Sequence, residues 1–461
     1  MTPAIDMPKA NRPPRPYPGG YAWYVVCVLA LVNALSYLDR QVMSILVIPI
    51  TADLGFTDTQ MGLILGPAFM MLFVLAGMPM GWIADTYNRA LLLAFGIVTW
   101  SLGTLATGLA DTYAEMLGTR AAVGLGEAAV VPAAFSLITD YFEPDRRARA
   151  TSAVTIGIPL GSGAALFGGG LLLRWAEDLR GVALPMLGVR APWQIVLIVF
   201  ALVGVAVALL VLTVRDPRGA AALKNRDRAV PTETSAPGFL GFVVANRGPL
   251  TLVMLPYILL TYAQVAVAAW APTLLTRRYG ADPATAGMLI GLVLITIPVI
   301  AAAAGGAVAD FLAKRHKAGP FLLVTALSPF FLPGLLLLTL SCSLPFAILG
   351  FAVMTTVGGV CSTTVYAALQ MVAPQYARGR ILALFALLAQ VAGIGVGPLL
   401  VAVFSDRIFG PSHLHLAMLL AIVPAWFVIV VCSFPGRSRF ARLRLRFADE
   451  HVTSPSDDRP H

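Results

Sequence analysis

The chain has 461 residues, of which 58% are hydrophobic and only 12% are charged, and its mean hydropathy is +0.82. About a quarter of the residues in a soluble protein are charged, so this composition excludes a soluble domain and predicts an integral membrane protein. The net charge of +9 is expected to reflect membrane topology and attraction to anionic lipid. It does not indicate a nucleic-acid partner.

Twelve apolar segments are long enough to cross a membrane, since a spanning helix needs roughly 20 mostly apolar residues. The pattern therefore predicts an all-α membrane protein with twelve transmembrane helices. The segments lie near residues 21–50, 59–84, 90–110, 113–141, 150–174, 192–214, 250–275, 284–309, 320–340, 344–373, 381–404 and 414–433.

The distribution of polar residues predicts the orientation and the domain limits. The first twenty residues are polar and Pro-rich without an apolar core, so no signal peptide is expected. Lys and Arg are concentrated in the segments on the same side as both termini. By the positive-inside rule we expect a multi-pass protein of the cell membrane (inner or plasma membrane) with both termini cytoplasmic. The predicted limits are 1–20 (tail), 21–214 (first six-helix bundle), 215–249 (linker), 250–433 (second bundle) and 434–461 (basic tail).

Four charges lie inside predicted helices. Asp39 and Arg40 are in the first helix ("SYLDR"), and Arg120 and Glu127 are in the fourth. A charge at a helix centre costs at least about 2.5–3.5 kcal/mol, so these charges, whose signs cancel, are expected to compensate one another. Arg120 and Glu127 are seven residues apart and therefore share a helix face. If the first and fourth helices adjoin, Arg120 faces both carboxylates and Arg40 supplies the balancing charge.

Two interpretations of this charge cluster (Asp39, Arg40, Arg120 and Glu127) remain open from the residues alone. One is a static ion network that fixes helix register and adds little net stability. The other is proton coupling through the two acids, because burial favours a neutral carboxylate and a nearby arginine favours a charged one. The five histidines lie in predicted loops, tails or helix ends, so the carboxylates would carry any proton transfer.

The polar loop 215–249 divides the twelve helices into two similar halves. Five residues of the first half recur 225 positions later. They are Gly55, Gly62, Gly66, Gly81 and Asp85, which recur as Gly280, Gly287, Gly291, Gly306 and Asp310. Parallel repeats with a site between them are typical of secondary transporters.

Each repeat contains a short charged motif at a helix end, "GWIADTYNR" in the first half and "GAVADFLAKR" in the second. These motifs resemble the signature loop of the major facilitator superfamily and its second copy. The resemblance implies that Asp85 and Arg89, with Asp310 and Lys314, form gating contacts between the halves. The alternative is a pair of ordinary capped, basic turns. The first copy has Ala90 in place of a second basic residue.

Four motifs together resemble the spinster branch of that superfamily: "SYLDR", "ADTYNR", "TRAAVGLGEA" and "IPLGSG". The resemblance implies proton-linked transport by alternating access, which in animal members of the branch carries lysolipids or phosphorylated sphingoid bases. It maps the coupling acids onto Asp39 and Glu127 and the cavity cation onto Arg120. Ser36 stands where the branch usually has Asn, and Asn33, one turn earlier, is a candidate substitute.

In the second half, polar and aromatic residues of the seventh and tenth helices are expected to line the substrate cavity. They are Tyr257, Tyr262, Gln264, Thr364, Tyr366 and Gln370. The alternative for each is an ordinary contact between helices. Because this wall carries no charge, an anionic head group is expected at Arg120 or Arg40 and an apolar tail toward the second half. The predicted solute is amphipathic and lysolipid-like.

Other classes of protein fit the sequence poorly. No G-x-x-x-x-G-K-[ST] motif occurs, so ATP hydrolysis is not predicted. No G-x-S-x-G serine, metal-spaced histidines or filter-like loop indicates an enzyme, a metal or cofactor site, or a channel. The predicted partners are the substrate, protons and membrane lipid, acting on a monomer. A facilitator without proton coupling and a carrier of a small organic anion or drug-like compound remain alternatives.

The C-terminal run "RSRFARLRLRF" places Phe440, Leu443 and Phe447 at helical spacing among arginines. An interfacial basic helix on anionic lipid and a disordered basic tail are both compatible with this pattern.

Overall fold

The computed structural model describes residues 19–184, 188–218, 239–374 and 377–449. Within these ranges, 12 helices are long and apolar enough to cross a membrane, which confirms the predicted architecture. The spans, named α1 to α12 in chain order, are Gly19–Leu54, Asp58–Thr86, Arg89–Thr107, Tyr113–Tyr141, Asp145–Glu177, Pro192–Val211, Arg247–Tyr279, Pro283–Arg315, Phe321–Leu340, Leu344–Met371, Arg378–Phe409 and Pro411–Arg446. A short helix, Phe239–Ala245, precedes α7, and two short antiparallel strands, β1 (Ala183–Leu184) and β2 (Gly188–Val189), lie between α5 and α6 in the sequence.

Several spans are interrupted, and prolines explain most of the interruptions. The pieces are Asp58–Leu65 and Pro67–Thr86 in α2, Tyr113–Glu127 and Val130–Tyr141 in α4, Pro144–Thr155 and Gly157–Glu177 in α5, Phe321–Leu327 and Phe331–Leu340 in α9, and Arg378–Gln390 and Gly397–Phe404 in α11. In α4, α5, α9 and α11 the interruption lies about four residues before Pro132, Pro159, Pro333 and Pro398. A proline removes the hydrogen bond to the carbonyl four residues earlier and its ring clashes with that carbonyl. In α4 this ends the first piece at Glu127, one of the buried acids.

The repeated glycines explain how the two halves meet. Gly55 and Gly280 have φ angles of 70° and 68°, a left-handed conformation that favours glycine, and they end α1 and α7. Gly62 packs on α11, where an added Cβ would lie 3.1 Å from Leu399 Cα. Gly287, its counterpart on α8, and Gly291, the counterpart of Gly66, pack against the first half in a similar way: an added Cβ would lie 3.0 Å from the Leu166 carbonyl oxygen of α5 at Gly287 and 2.7 Å from that of Gly163 at Gly291. The repeat therefore preserves two equivalent contacts between the halves, α2 with α11 and α5 with α8.

These contacts lie at one end of the bundle. The end opposite both chain termini, where α1 ends and α2 begins, is called the closed end, and the end at which α1 begins is called the tail end. Gly81 and Gly306 lie farther along α2 and α8, toward the tail end. An added Cβ on either would have no described atom of another element within 4 Å. The halves are thus packed at the closed end, whereas the motif glycines near the tail end face open space.

The basic tail is helical over its described part. The α-helix that forms most of α12 runs without interruption from Leu414 to Asp449, past the end of the membrane span. The buried Phe440 ring stacks on Phe321 at 5.6 Å. Arg444 donates to the carbonyls of Ala313 and His316, at 2.9 and 3.1 Å, at the end of α8. The structure therefore supports the helical alternative up to residue 449, while 450–461 and the Phe447 side chain lie outside the described residues.

Candidate functional site

The first buried acid, Asp39, is held by α3. Its side chain is 3% exposed, and its Oδ2 accepts a hydrogen bond of 2.6 Å from Thr104 Oγ1. Among the described residues, no Lys or Arg nitrogen lies within 4.0 Å of the Asp39 carboxylate, the limit for an ion pair. Thr104 was not predicted, because a threonine inside an apolar helix usually bonds its own backbone. Asp39 thus keeps a neutral hydroxyl as its nearest polar partner.

The second buried acid, Glu127, is held by two residues of α1. Its Oε2 accepts hydrogen bonds from Ser36 Oγ and from Arg40 Nε, each at 2.6 Å. Asn33, considered as a substitute for the missing family asparagine, instead donates to the Val154 carbonyl at 3.0 Å and lies away from the site. That interpretation is therefore wrong, because Ser36 itself reaches the acid.

Arg120 is the least satisfied member of the charge cluster. It is 1% exposed, and its Nε and Nη1 atoms have no hydrogen-bond partner in the described part of the chain. It interacts electrostatically with Asp39 and Glu127 without forming an ion pair within 4.0 Å. The structure therefore brings the four predicted charges together but differs in their pairing, since Arg40 and not Arg120 binds a carboxylate. A buried guanidinium with open donors is costly, so Arg120 is suited to receive an anion.

The predicted gating residue Arg89 binds within its own half. Its Nη1 lies 2.6 Å from Asp140 Oδ2, and its guanidinium also pairs with Asp216, just after α6. With the tail end open, Arg89 therefore contacts Asp140 and Asp216 and not the other half, because the start of α3 lies beside the end of α6. Its gating role stays a prediction. Asp85, Asp310 and Lys314 are exposed at the tail end.

The Asp216 pair predicts a pH dependence. Burial alone would raise the pKa of Asp216. Hydrogen bonds from the Arg89 side chain and backbone lower it by more than burial raises it, so this pKa lies below its ordinary value. A carboxylate with a lowered pKa stabilises the fold above its unfolded pKa, about 3.9, and loses that contribution as pH falls through the folded pKa. We expect Asp216→Asn to lower the Tm at pH 7, through a loss of about 3 kcal/mol, and the gap to wild type to close below about pH 4.

Thermal unfolding of the purified protein across pH checks this expectation. The exposed pair of Glu177 and Arg180 offers the control, since Glu177→Gln should change the Tm little at any pH. A gap for Asp216→Asn that stays constant down to the lowest pH would contradict the assignment.

An ion-pair cluster at the closed end was not predicted. Asp58, which is 2% exposed, receives two hydrogen bonds of 2.7 Å from Arg277 and one of 2.6 Å from Ser405 Oγ. Asp406 accepts from the backbone N–H groups of Asp58 and Thr59 at 3.3 and 2.6 Å. This cluster joins α2 of the first half to α7 and α11 of the second. Its members are too far apart in sequence for any local pattern to reveal it.

The predicted cavity wall of the second half separates into two groups. Tyr257 and Thr364 are buried and face each other, with their oxygens 3.4 Å apart, and the buried Tyr262 donates to the Ala421 carbonyl of α12 at 3.0 Å. These three lie inside the packing of the second bundle, which differs from the predicted position on a cavity wall. A buried phenol needs a polar partner, and each finds one between helices.

The other three predicted wall residues are more accessible. Gln264 is partly buried against Gly358 of α10, and Gln370 is exposed. Tyr366 is 48% exposed, and its ring packs edge-on against Phe385 of α11 at 6.0 Å. Tyr366 and Gln370 are therefore the predicted wall residues that remain accessible to a solute.

Comparisons with known proteins agree with this architecture. Residues 29–398 match the family model described as Major Facilitator Superfamily. An "MFS-type efflux pump" of Mycolicibacterium smegmatis is 28% identical over 444 residues, covering 95% of this chain and 97% of that protein. Human "Protein spinster homolog 1" is 30% identical over 262 residues, which cover 56% of this chain and 46% of that protein.

A solved structure supports the fold. The crystal structure of a bacterial homologue of the human lysosomal transporter Spinster, in an inward-facing and unoccupied conformation, superposes with a TM-score of 0.75. Its sequence is 21% identical, and the match covers 93% of this chain and 98% of that one. The family and the fold are those of membrane transporters and not of enzymes. The chain therefore belongs to the major facilitator superfamily, and its predicted resemblance to the spinster branch is confirmed.

Proposed function

We propose that the chain is a proton-coupled secondary transporter that carries an amphipathic, lysolipid-like solute by alternating access. The observation that supports this most is the burial of Asp39, Arg120 and Glu127, together with the largely buried Arg40, between α1, α3 and α4. The proposal has the chain acting as a monomer in the cell membrane with both termini in the cytoplasm. It requires no cofactor.

The pairing of the charge cluster suggests how protons and substrate are linked. With both acids ionised, two negative charges balance two positive ones. When one acid takes up a proton, the cluster gains a net positive charge in a region of low dielectric, which favours entry of an anion. Arg120 and Arg40 both have buried guanidinium nitrogens without a hydrogen-bond partner in the described part of the chain and would attract that anion, so proton and anion would bind together.

The contacts at the closed end support alternating access. The glycine contacts and the ion pair of Asp58 with Arg277 hold the halves together there, while Gly81 and Gly306 face open space. If the termini are cytoplasmic, this is an inward-open arrangement. Rocking of the halves would break the closed-end contacts and form equivalent ones at the tail end, as expected for a transporter built from repeats.

The distribution of charge supports the proposed substrate class. Both arginines of the cluster lie in the first half, and the accessible side of the second half presents Tyr366 and Gln370. An anionic head group at the arginines and an apolar tail beside the second half would match this division. The relative that covers almost the whole chain is named an efflux pump, which favours a second candidate, a carrier of a small organic anion or drug-like compound.

The proposal is tested by reconstituting the purified protein in liposomes with an imposed pH gradient. The solutes offered are lysophosphatidylglycerol, lysophosphatidylcholine, a small dicarboxylate and a cationic dye. We expect gradient-driven accumulation of a lysolipid that a protonophore abolishes. Accumulation of only the small anion or the dye would support the second candidate, and equilibration that ignores the gradient would leave a facilitator.

A further inference from the structure

Arg40 of the charge cluster lies among three aromatic rings. Its guanidinium carbon is 4.9 Å from the ring centroid of Tyr37, 4.8 Å from that of Phe69 and 5.0 Å from that of Phe73. Tyr37 lies one turn before Arg40 on α1, and the other two rings lie one turn apart on α2, where they stack at 5.4 Å. These three rings are called the aromatic cradle. Each distance is within the range of a cation–π interaction.

The polar edge of the same guanidinium is only partly used. Nε donates to Glu127 at 2.6 Å, whereas Nη1 is buried without a hydrogen-bond partner in the described part of the chain. The cradle and one carboxylate oxygen thus hold the cation together, and the N–H groups of Nη1 remain for another acceptor. Arginine suits this position, because its planar group is weakly hydrated, stacks on rings and stays charged, whereas a lysine ammonium is compact and strongly hydrated.

The arrangement bears on what happens when Glu127 is neutralised. Without the rings, a buried guanidinium that lost its carboxylate would have to move or draw in water. The ring faces carry partial negative charge, so they continue to attract the cation and keep it in place. Arg40 can then present Nη1 and the released Nε to a new acceptor.

We propose that the aromatic cradle positions Arg40 as the receptor for an anionic group of the substrate, a phosphate or a carboxylate, which replaces Glu127 as the partner of the guanidinium. Tyr37, Phe69 and Phe73 are positioning residues, since they act through Arg40. The inference rests on the proposed transport function and deepens it, because it gives the substrate a required negative charge.

Fluorinated phenylalanines at position 73 test the proposal. Successive fluorine atoms weaken the negative ring face and hardly change the shape of the ring. The series is made in the wild-type chain and in Arg40→Gln, and purified protein is measured for Tm and for Kd with lysophosphatidylglycerol, oleate and uncharged monooleoylglycerol. In the wild-type chain we expect the Tm to fall stepwise and the affinity for an anionic lipid to weaken by about threefold or more. The two anions distinguish a phosphate receptor from a carboxylate receptor.

The controls isolate the cation. In Arg40→Gln, neither Tm nor Kd should change along the same series. A series at Phe135, a partly buried ring packed on the same apolar cluster as Phe73, should also leave both unchanged. This second control keeps the test decisive if Arg40→Gln does not fold. Flat series at position 73 in the wild-type chain, equal weakening for the uncharged lipid, or no binding of either anion would overturn the proposal. A pH gradient that drives no transport would refute proton coupling but would leave the dependence of Tm and Kd on fluorination unchanged. The two failures are therefore distinguishable.

Discussion

Replacing Asp39 with Asn is expected to reduce the solute accumulation that a pH gradient drives by about tenfold or more, while exchange of solute across the membrane without a gradient continues. Asparagine has nearly the same shape, and its amide oxygen can still accept the hydrogen bond from Thr104, which spans 2.6 Å to the carboxylate. It cannot exchange a proton. The loss would therefore report proton coupling and not a change in packing.

The measurement compares uptake by liposomes with and without the gradient for Asp39→Asn, Glu127→Gln and the exposed control Glu177→Gln. Thermal stability separates the two buried acids. Glu127 forms the ion pair with Arg40, and breaking a buried pair costs about 3–5 kcal/mol, so Glu127→Gln should lower the Tm more than Asp39→Asn does. Accumulation by Asp39→Asn at the wild-type level would show that this acid has no part in coupling and would favour the static ion network.

The sequence predicted the presence of this cluster better than its pairing. Charges in apolar helices are readily recognised because their cost has to be compensated, and the repeat of Gly and Asp residues indicated how the halves are built. Which arginine binds which acid depends on rotamers and on a neighbouring helix. For this reason the hydroxyls of Ser36 and Thr104 and the free donors of Arg120 were not predicted.

Contacts between distant segments were harder still to predict. Arg89 was expected to contact the other half, yet Asp216, placed next to it by the end of α6, is its partner. The closed-end pair joins Asp58 to Arg277 across 219 positions. Both pairs consist of common surface residue types in loops or at helix ends, where sequence spacing carries no information about the neighbour.

The motif glycines near the tail end lead to the second large effect. Gly62 and Gly287 are in tight contact with the opposite half, whereas Gly81 and Gly306 have open space around them. Because the repeat preserves all four, we infer that the second pair becomes the close contact when the tail end shuts. A valine there would fit the present arrangement and block the other one, since packed helices do not tolerate several extra carbon atoms between their backbones.

We expect Gly81→Val and Gly306→Val to hold the halves apart at the tail end and to reduce transport to near background while leaving the Tm within a few degrees of wild type. Spin labels at the exposed positions Thr86 and His316, in a chain without other cysteines, report the distance across that end. Wild type should show a short distance as well as a long one when solute and pH are varied, and both variants only the long one.

Two further glycine variants make this expectation specific. Gly168 on α5 also has open space around it but is not one of the repeated glycines, so Gly168→Val imposes the same cost of valine in a helix and should keep both distances. Gly62→Val should act in the opposite direction, because an added Cβ already meets Ala402 Cβ at 2.5 Å and would force the closed end apart. If Gly81→Val still reached the short distance as often as wild type, the open space around Gly81 would have no part in closure, and the tail end would have to shut through other contacts.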